Sequence, residues 1–144
     1  MAVQVRLHIG PPKTATTTIQ RVLAGQREAL AQRGVLYPEP ENHSDVFFPQ
    51  LARWTPDGPR WTVMPTRGAR RHAMTWPRFL KAVDDHPGPV IVSSEVLSAL
   101  PAEGVAAFLS TLPVPPTVVL VQRPVSRQIP SWHQEAVKRW QTPD

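Results

Sequence analysis

Hydrophobic positions along the chain fall into three short stretches that predict β-strands. In residues 3–9, VQVRLHI, apolar side chains alternate with polar ones, which is the period of a strand. Residues 90–95, VIVSSE, and residues 117–122, TVVLVQ, are short apolar runs rich in β-branched residues, as is typical of buried strands. A fourth, shorter candidate strand covers residues 35–37.

Segments with helical character separate these stretches. The first predicted helix follows a threonine-rich turn and ends at Gly34, a residue type common in the left-handed conformation after a helix. Three more helices are predicted over residues 75–86, 101–112 and 124–140.

Strands and helices that alternate in this way, with continuous apolar strands, predict a parallel sheet covered by helices. Ligands of such sheets bind beyond the carboxyl ends of the strands. Candidate functional residues therefore lie within residues 10–18, 93–95 and 123–131.

Residues 38–74 show neither kind of periodicity. Pro, Asp, Asn and Gly interrupt them, and a loop of this length is normally functional or partly ordered. Seven basic residues lie in and just after this segment: Arg53, Arg60, Arg67, Arg70, Arg71, Arg78 and Lys81. We therefore interpret residues 38–74 as an irregular basic insert within a single domain that spans residues 1–144.

Composition excludes several kinds of chemistry. The chain has no cysteine, which excludes disulfides, thiolate catalysis and cysteine-based zinc or iron–sulfur sites. Its formal net charge of +5 favours an anionic partner such as a nucleotide. No apolar run approaches the roughly 20 residues that span a bilayer, and the N-terminus lacks the pattern of a signal peptide. We expect a cytoplasmic protein without a transmembrane segment.

The turn after the first strand, GPPKTATTT, has the features of an anion-binding site. It opens a helix, whose first backbone N–H groups lack intrahelical partners and whose dipole attracts negative charge. Lys13 adds a positive charge and the threonines add hydroxyl donors. The turn is not a Walker A loop, because no second glycine precedes the lysine. The alternative is an ordinary helix cap in which the threonines serve the helix alone.

The sequence HIGPPKTATTTIQ resembles the 5′-phosphosulfate-binding loop of bacterial-type sulfotransferases that use 3′-phosphoadenosine 5′-phosphosulfate (PAPS). The resemblance implies that Lys13 binds the 5′-phosphate and the bridging oxygen. It also implies that Thr14, Thr16 and Thr17 bind the same phosphate. Ala15, in the same cofactor-binding loop, stands where the family usually has glycine. A positive φ at this alanine would cost about 1 kcal/mol, whereas a helical φ would be harmless.

A second motif follows the last predicted strand. Arg123 supplies a planar guanidinium that suits a phosphate, and Ser131 lies eight residues later. The sequence LVQRPVSRQIPSW resembles the 3′-phosphate motif of the same family, which implies that Arg123 and Ser131 hold the 3′-phosphate. Pro130 departs from the family pattern, since proline donates no backbone hydrogen bond. The alternative for Arg123 is a surface ion pair.

Glu95 closes the strand VIVSSE. In a P-loop-like sheet this strand flanks the first strand on one side and the Arg123 strand flanks it on the other. Glu95 would then face the same crevice as Lys13. The family places its catalytic base in this neighbourhood, so the resemblance implies that Glu95 deprotonates the acceptor. The alternative is a glutamate that caps the next segment or pairs with a nearby arginine.

The motifs together predict an α/β fold with a P-loop-like parallel sheet flanked by helices. The reaction that the resemblance implies is sulfuryl transfer from PAPS to a hydroxyl or amine of a small-molecule, carbohydrate or lipid acceptor. Lys13 and Glu95 are the implied catalytic residues. We expect neither a metal ion nor nucleic acid to take part.

Members of the family are longer and carry a late glycine-rich segment. We therefore expect the N-terminal part of such a domain, with an incomplete sheet and with activity impaired by truncation. One alternative is a P-loop nucleotide kinase or NTPase, which predicts a Gly-Lys pair and a Mg²⁺-binding Asp after a buried strand; the sequence has neither. A non-catalytic anion-binding module built on the basic insert is the other.

Overall fold

The computed structural model describes residues 4–50 and 74–141. The helices are α1 (Thr16–Gly25), α2 (Arg27–Gln32), α3 (Ser44–Phe47), α4 (Trp76–Asp85), α5 (Ala102–Leu109) and α6 (Val125–Gln141). The strands are β1 (Gln4–Ile9), β2 (Pro89–Ser93) and β3 (Thr117–Leu120). Two short 3₁₀ helices cover Phe48–Gln50 and Val96–Ala99. No helix within the described residues is long and apolar enough to cross a membrane.

The three strands form one parallel sheet in the order β2-β1-β3. Val5 of β1 lies opposite Val90 of β2, and Ile9 of β1 lies opposite Leu120 of β3. An α/β fold with a parallel sheet is therefore confirmed, as is the prediction that β1 lies between the other two strands. The carboxyl ends of all three strands lie at one edge of the sheet, which fixes where the candidate residues meet.

The hydrophobic core covers one face of β1 and β2. Apolar residues at alternate positions of these strands are fully or almost fully buried: Val5, Leu7, Val90 and Val92. Three phenylalanines from α3, α4 and α5 pack with them: Phe47, Phe79 and Phe108. Phe47 meets the rings of Phe79 and Phe108 edge to face, the arrangement that aromatic quadrupoles favour. Helices α3, α4 and α5 thus anchor the strands whose ends carry the candidate site.

The strand predicted at residues 117–122 is present as β3, but the prediction that it is buried was wrong. All four residues of β3 are exposed, and Val118, Val119 and Leu120 each expose about half of their surface. The physical reason is that the hydrophobic core packs on β1 and β2, and no residue of β3 belongs to it. An unbroken apolar run is typical of a strand that is covered on both faces, and the described residues do not cover this one.

Two further predictions are corrected by the structure. Residues 35–37 do not form a strand; within the described ranges they make an isolated parallel bridge between Leu36 and Val90. The described part of residues 38–74 is not irregular throughout, because α3 lies in it and Phe47 is fully buried. The insert's arginines from Arg53 to Arg71 lie outside the described residues.

The first predicted helix, expected to run from the turn to Gly34, is instead two helices, α1 and α2, that meet at Gln26. The other element predictions are confirmed. Gly34 has a φ of 71°, the left-handed conformation expected after a helix. Helices α4, α5 and α6 lie within one to three residues of their predicted bounds. Helix α6 continues through Pro130.

Candidate functional site

Gly10 begins the turn between β1 and α1 because the chain has no room for a larger residue there. A Cβ atom at this position would lie 2.6 Å from the carbonyl oxygen of Val121 and 2.6 Å from Oγ1 of Thr14. The backbone amide of Val121 also donates to the carbonyl of Ile9 over 3.0 Å. The turn is therefore packed directly against the backbone that leaves β3.

Two residues of the turn, Lys13 and Ala15, have positive φ angles of 72° and 67°. Ala15, at the position where the resembled family usually has glycine, therefore has the costly positive φ and not the harmless helical one. Ala15 is the N-cap of α1, and its carbonyl accepts the first intrahelical hydrogen bond, from the amide of Ile19. No side chain caps this end of α1, and its first turn holds no acidic residue. The opening turn of the helix keeps the potential of an anion-binding site.

The threonines of the motif take different positions. Thr14 is buried, and its hydroxyl donates to the carbonyl of Pro11 over 2.7 Å. Thr16 is buried as well, with its Oγ1 3.4 Å from that of Thr14. Thr17 is exposed. The hydroxyl of Thr14 therefore stabilises the turn itself, and Thr17 presents its hydroxyl to solvent.

Glu95 lies two residues beyond the end of β2, as the N-cap of the 3₁₀ helix that follows. Burial raises the pKa of its carboxyl, and the positive charge of Lys13 partly offsets that rise. A cavity of about 200 Å³ opens beside it. Its walls come from the turn after β1, the segment after β2 and helix α6: Pro11, Pro12, Glu95, Val96, Ser98, Ala99 and Trp132. Lys13 and Glu95, far apart in sequence, thus act on each other at one edge of the sheet.

Helix α6 is tied to the same turn by two side chains. The indole Nε1 of Trp132 donates to the carbonyl of Pro12 over 3.1 Å, and the buried amide of Gln128 donates to the same oxygen over 3.3 Å. Neither contact was predicted. Their four-residue spacing, which places both on one helical face, is the signal that points to a shared contact.

The second predicted motif also lies at this edge of the sheet, but its two residues do not contact the turn after β1 through any hydrogen bond among the described residues. Arg123 is exposed and lies three residues beyond the end of β3. Strand β3 pairs with β1, which leads into the turn that holds Lys13. The hydroxyl of Ser131 donates to the carbonyl of Arg127 over 3.1 Å, so its hydrogen is engaged within helix α6.

Polar side chains that the sequence did not single out fill the interior behind Glu95. Ser93 is fully buried and contacts three of them: His8, Gln20 and His43. Gln20 lies four residues after Thr16 on the buried side of α1, a spacing visible in the sequence. Nothing in the sequence marks His43 as a partner, because fifty residues separate it from Ser93.

No group of three or more His, Asp or Glu residues within the described ranges is placed to hold a metal ion. No protein-family model matches the sequence, and neither a curated protein nor a solved structure matches it significantly.

Proposed function

We propose that this chain binds PAPS and transfers its sulfuryl group to an acceptor hydroxyl or amine. One observation carries the proposal: the turn that holds Lys13 and the residue Glu95 line one cavity at the carboxyl edge of a parallel sheet. An anion site and a carboxylic base beside one cavity are the two groups that such a transfer needs.

Lys13 and the first amides of α1 suit the 5′ end of the nucleotide. The turn is closed against Val121, uncapped by any side chain and free of acids in its first helical turn. Lys13 meets the charge that develops on the phosphate oxygen as its bond to sulfur breaks. Thr16 and Thr17 belong to the same end of the helix and add their amides.

Glu95 serves as the base in the proposed reaction. The acceptor oxygen forms a bond to sulfur, the bond from sulfur to the 5′-phosphate oxygen breaks, and the acceptor proton passes to the carboxylate. Burial raises the pKa of Glu95 above its ordinary value, and a stronger base close to the working pH is a better proton acceptor. The products are the sulfated acceptor and adenosine 3′,5′-bisphosphate.

Arg123 is the proposed contact for the 3′-phosphate. Its support is its place beyond β3, at the same sheet edge as the turn after β1. Ser131 binds the same phosphate only after its hydroxyl rotates away from the carbonyl of Arg127, because a phosphate oxygen needs the hydrogen that this bond uses. Arg123 is therefore expected to contribute more than Ser131.

The cavity is the proposed acceptor side of the site. Most of its walls are apolar, and Trp132 supplies a ring held by its bond to Pro12. A volume of about 200 Å³ accepts a small molecule or one end of a larger one. An acceptor with an apolar part beside its hydroxyl fits these walls better than a uniformly polar one.

The test is the stabilisation of the protein by adenosine 3′,5′-bisphosphate and by ATP, measured as a shift in the unfolding temperature. We expect a larger shift with the bisphosphate. Lys13→Ala and Arg123→Ala should each weaken its binding about tenfold to a hundredfold, since a hydrogen bond to a charged group is worth about 1.5–3 kcal/mol. Lys81→Ala, on α4, and Arg33→Ala, just after α2, are matched controls at exposed positions and should leave binding unchanged.

Equal shifts with ATP and the bisphosphate would favour the nucleotide kinase or NTPase alternative. No shift with either nucleotide would contradict a nucleotide site altogether. If the bisphosphate binds, mass spectrometry of candidate acceptors tests transfer, with Glu95→Gln as the variant that should bind the nucleotide but not react.

A further inference from the structure

We propose that Ser93 is a positioning residue for Glu95, held by hydrogen bonds from three separate segments of the chain. The inference rests on the proposed role of Glu95 as the base. Every polar group of Ser93 is engaged: its amide donates to Nδ1 of His43 over 3.0 Å, its carbonyl accepts from Nε2 of Gln20 over 3.1 Å, and its hydroxyl lies 2.8 Å from Nδ1 of His8. We call these four residues the Ser93 cluster.

His43 has one possible protonation state in this cluster. Its Nδ1 accepts from the amide of Ser93, so Nε2 carries the hydrogen that bonds the carbonyl of Pro38 over 2.9 Å. Burial lowers the pKa of His43 to about 4, which keeps the ring neutral at neutral pH. The ring is stacked on Tyr37 with 4.5 Å between centroids. The segment before α3 is therefore hydrogen-bonded to the end of β2 through the His43 ring, whose orientation is fixed by its two bonds.

His8 and Gln20 connect Ser93 to both ends of the turn that holds Lys13. His8 lies on β1 two residues before Gly10, and Gln20 lies on α1 just after its first turn. The next residue repeats the pattern, since the amide of Ser94 donates to the carbonyl of His8 over 3.0 Å and its hydroxyl lies 2.9 Å from that of Ser44. The strand end that leads to Glu95 is thus tied to the start and the finish of the anion-binding turn.

This arrangement explains why so many polar groups are buried together. A buried network is costly unless nearly all of its members are satisfied, and when satisfied it specifies one arrangement. Glu95 follows Ser93 by two residues, so the direction of its backbone is set before its side chain begins. A catalytic group needs placement within about 0.5 Å, which a supporting layer of hydrogen bonds supplies.

The experiment measures the titration of Glu95 by carbon-detected NMR of the ligand-free protein, with Glu95→Gln to identify its signal. Ser93→Ala removes the contact to His8, and Gln20→Met removes the donor to the carbonyl of Ser93 at nearly constant volume. Ser110→Ala, which removes an exposed serine hydroxyl bond at the end of α5, is the matched control.

We expect both cluster variants to lower the pKa of Glu95 toward its ordinary value, and the control to leave it unchanged. The direction follows because burial acts on this carboxyl more strongly than Lys13 does, and a loosened backbone admits water. Gln20→Met guards against a Ser93 variant that does not fold. A folded Ser93→Ala and a folded Gln20→Met that both titrate like the wild type overturn the proposal.

A second arm separates this proposal from the proposed function. The same variants are tested for stabilisation by adenosine 3′,5′-bisphosphate. A shifted pKa with no bisphosphate binding in any variant, wild type included, supports the Ser93 cluster and contradicts the nucleotide site. If the bisphosphate binds but the pKa of Glu95 does not move in the variants, the nucleotide site is supported and the positioning role of Ser93 is contradicted.

Discussion

Replacing Ala15 with glycine should stabilise the protein, although glycine usually weakens the start of a helix. Ala15 has φ 67° and ψ 17°, in the left-handed region, and its side chain is exposed, so glycine loses little packing. The left-handed conformation costs an L-residue roughly 1–2 kcal/mol. Glycine also lowers the free energy of unfolding by about 0.4–1 kcal/mol, because it increases the conformational entropy of the unfolded chain. The net gain should be about 0.8 kcal/mol, or about 2–4 °C in Tm for a chain of this size.

The assay is urea unfolding of the wild type, Ala15→Gly and Ala106→Gly, compared by their midpoints at equal slope. Ala106 is exposed inside helix α5, where the same substitution should cost about 1 kcal/mol. One chemical change should therefore give opposite signs at the two positions. If Ala15→Gly destabilises the protein as much as Ala106→Gly does, the backbone strain assigned to the turn is absent.

The sequence predicted the sheet well because its signals are local. An apolar alternation and two β-branched runs are enough to place the strands, and a parallel sheet brings their carboxyl ends together without further information. Lys13 and Glu95 could be placed at one edge for that reason. Their mutual electrostatic effect agrees with that placement.

Features that depend on distant contacts could not be predicted. The run at β3 indicates a tendency to be covered, but it carries no information on whether a neighbouring segment covers it. The Ser93 cluster joins residues separated by 50, 73 and 85 positions, and no spacing rule relates them. The left-handed φ of Ala15 could not be predicted from its residue type, because alanine ordinarily favours a helical φ; only the glycine of the resembled family raised the question.

Three further predictions concern stability. Gly10→Ala should cost about 1–3 kcal/mol in urea unfolding, because its Cβ meets backbone, whereas Gly25→Ala meets nothing within 4 Å and should cost nothing. The pKa of His43 is about 4 in the folded protein against 6.5 in the unfolded chain, so its contribution to stability is complete above pH 6.5 and about 3 kcal/mol of it is lost as the pH falls from 6.5 through 4. This loss of stability should remain in His133→Gln and disappear in His43→Phe. The pKa of Glu95 is raised in the folded protein, so ionisation of this carboxyl at pH 7 costs stability and Glu95→Gln should be more stable than the wild type at that pH. An equal gain at pH 3, where both side chains are neutral, would contradict the reasoning.

The features that cost free energy lie close together in this molecule. Lys13 and Ala15 hold strained backbone conformations, Glu95 is a carboxyl with a raised pKa, and Nε2 of His8 is buried without a hydrogen-bond partner in the described part of the chain. All four residues lie at or next to the carboxyl ends of β1 and β2. Strain and perturbed titration persist where the surrounding structure over-determines them, and they cluster where ligands bind. This clustering supports the proposed anion site at this edge, although it does not explain why position 15 holds alanine and not glycine.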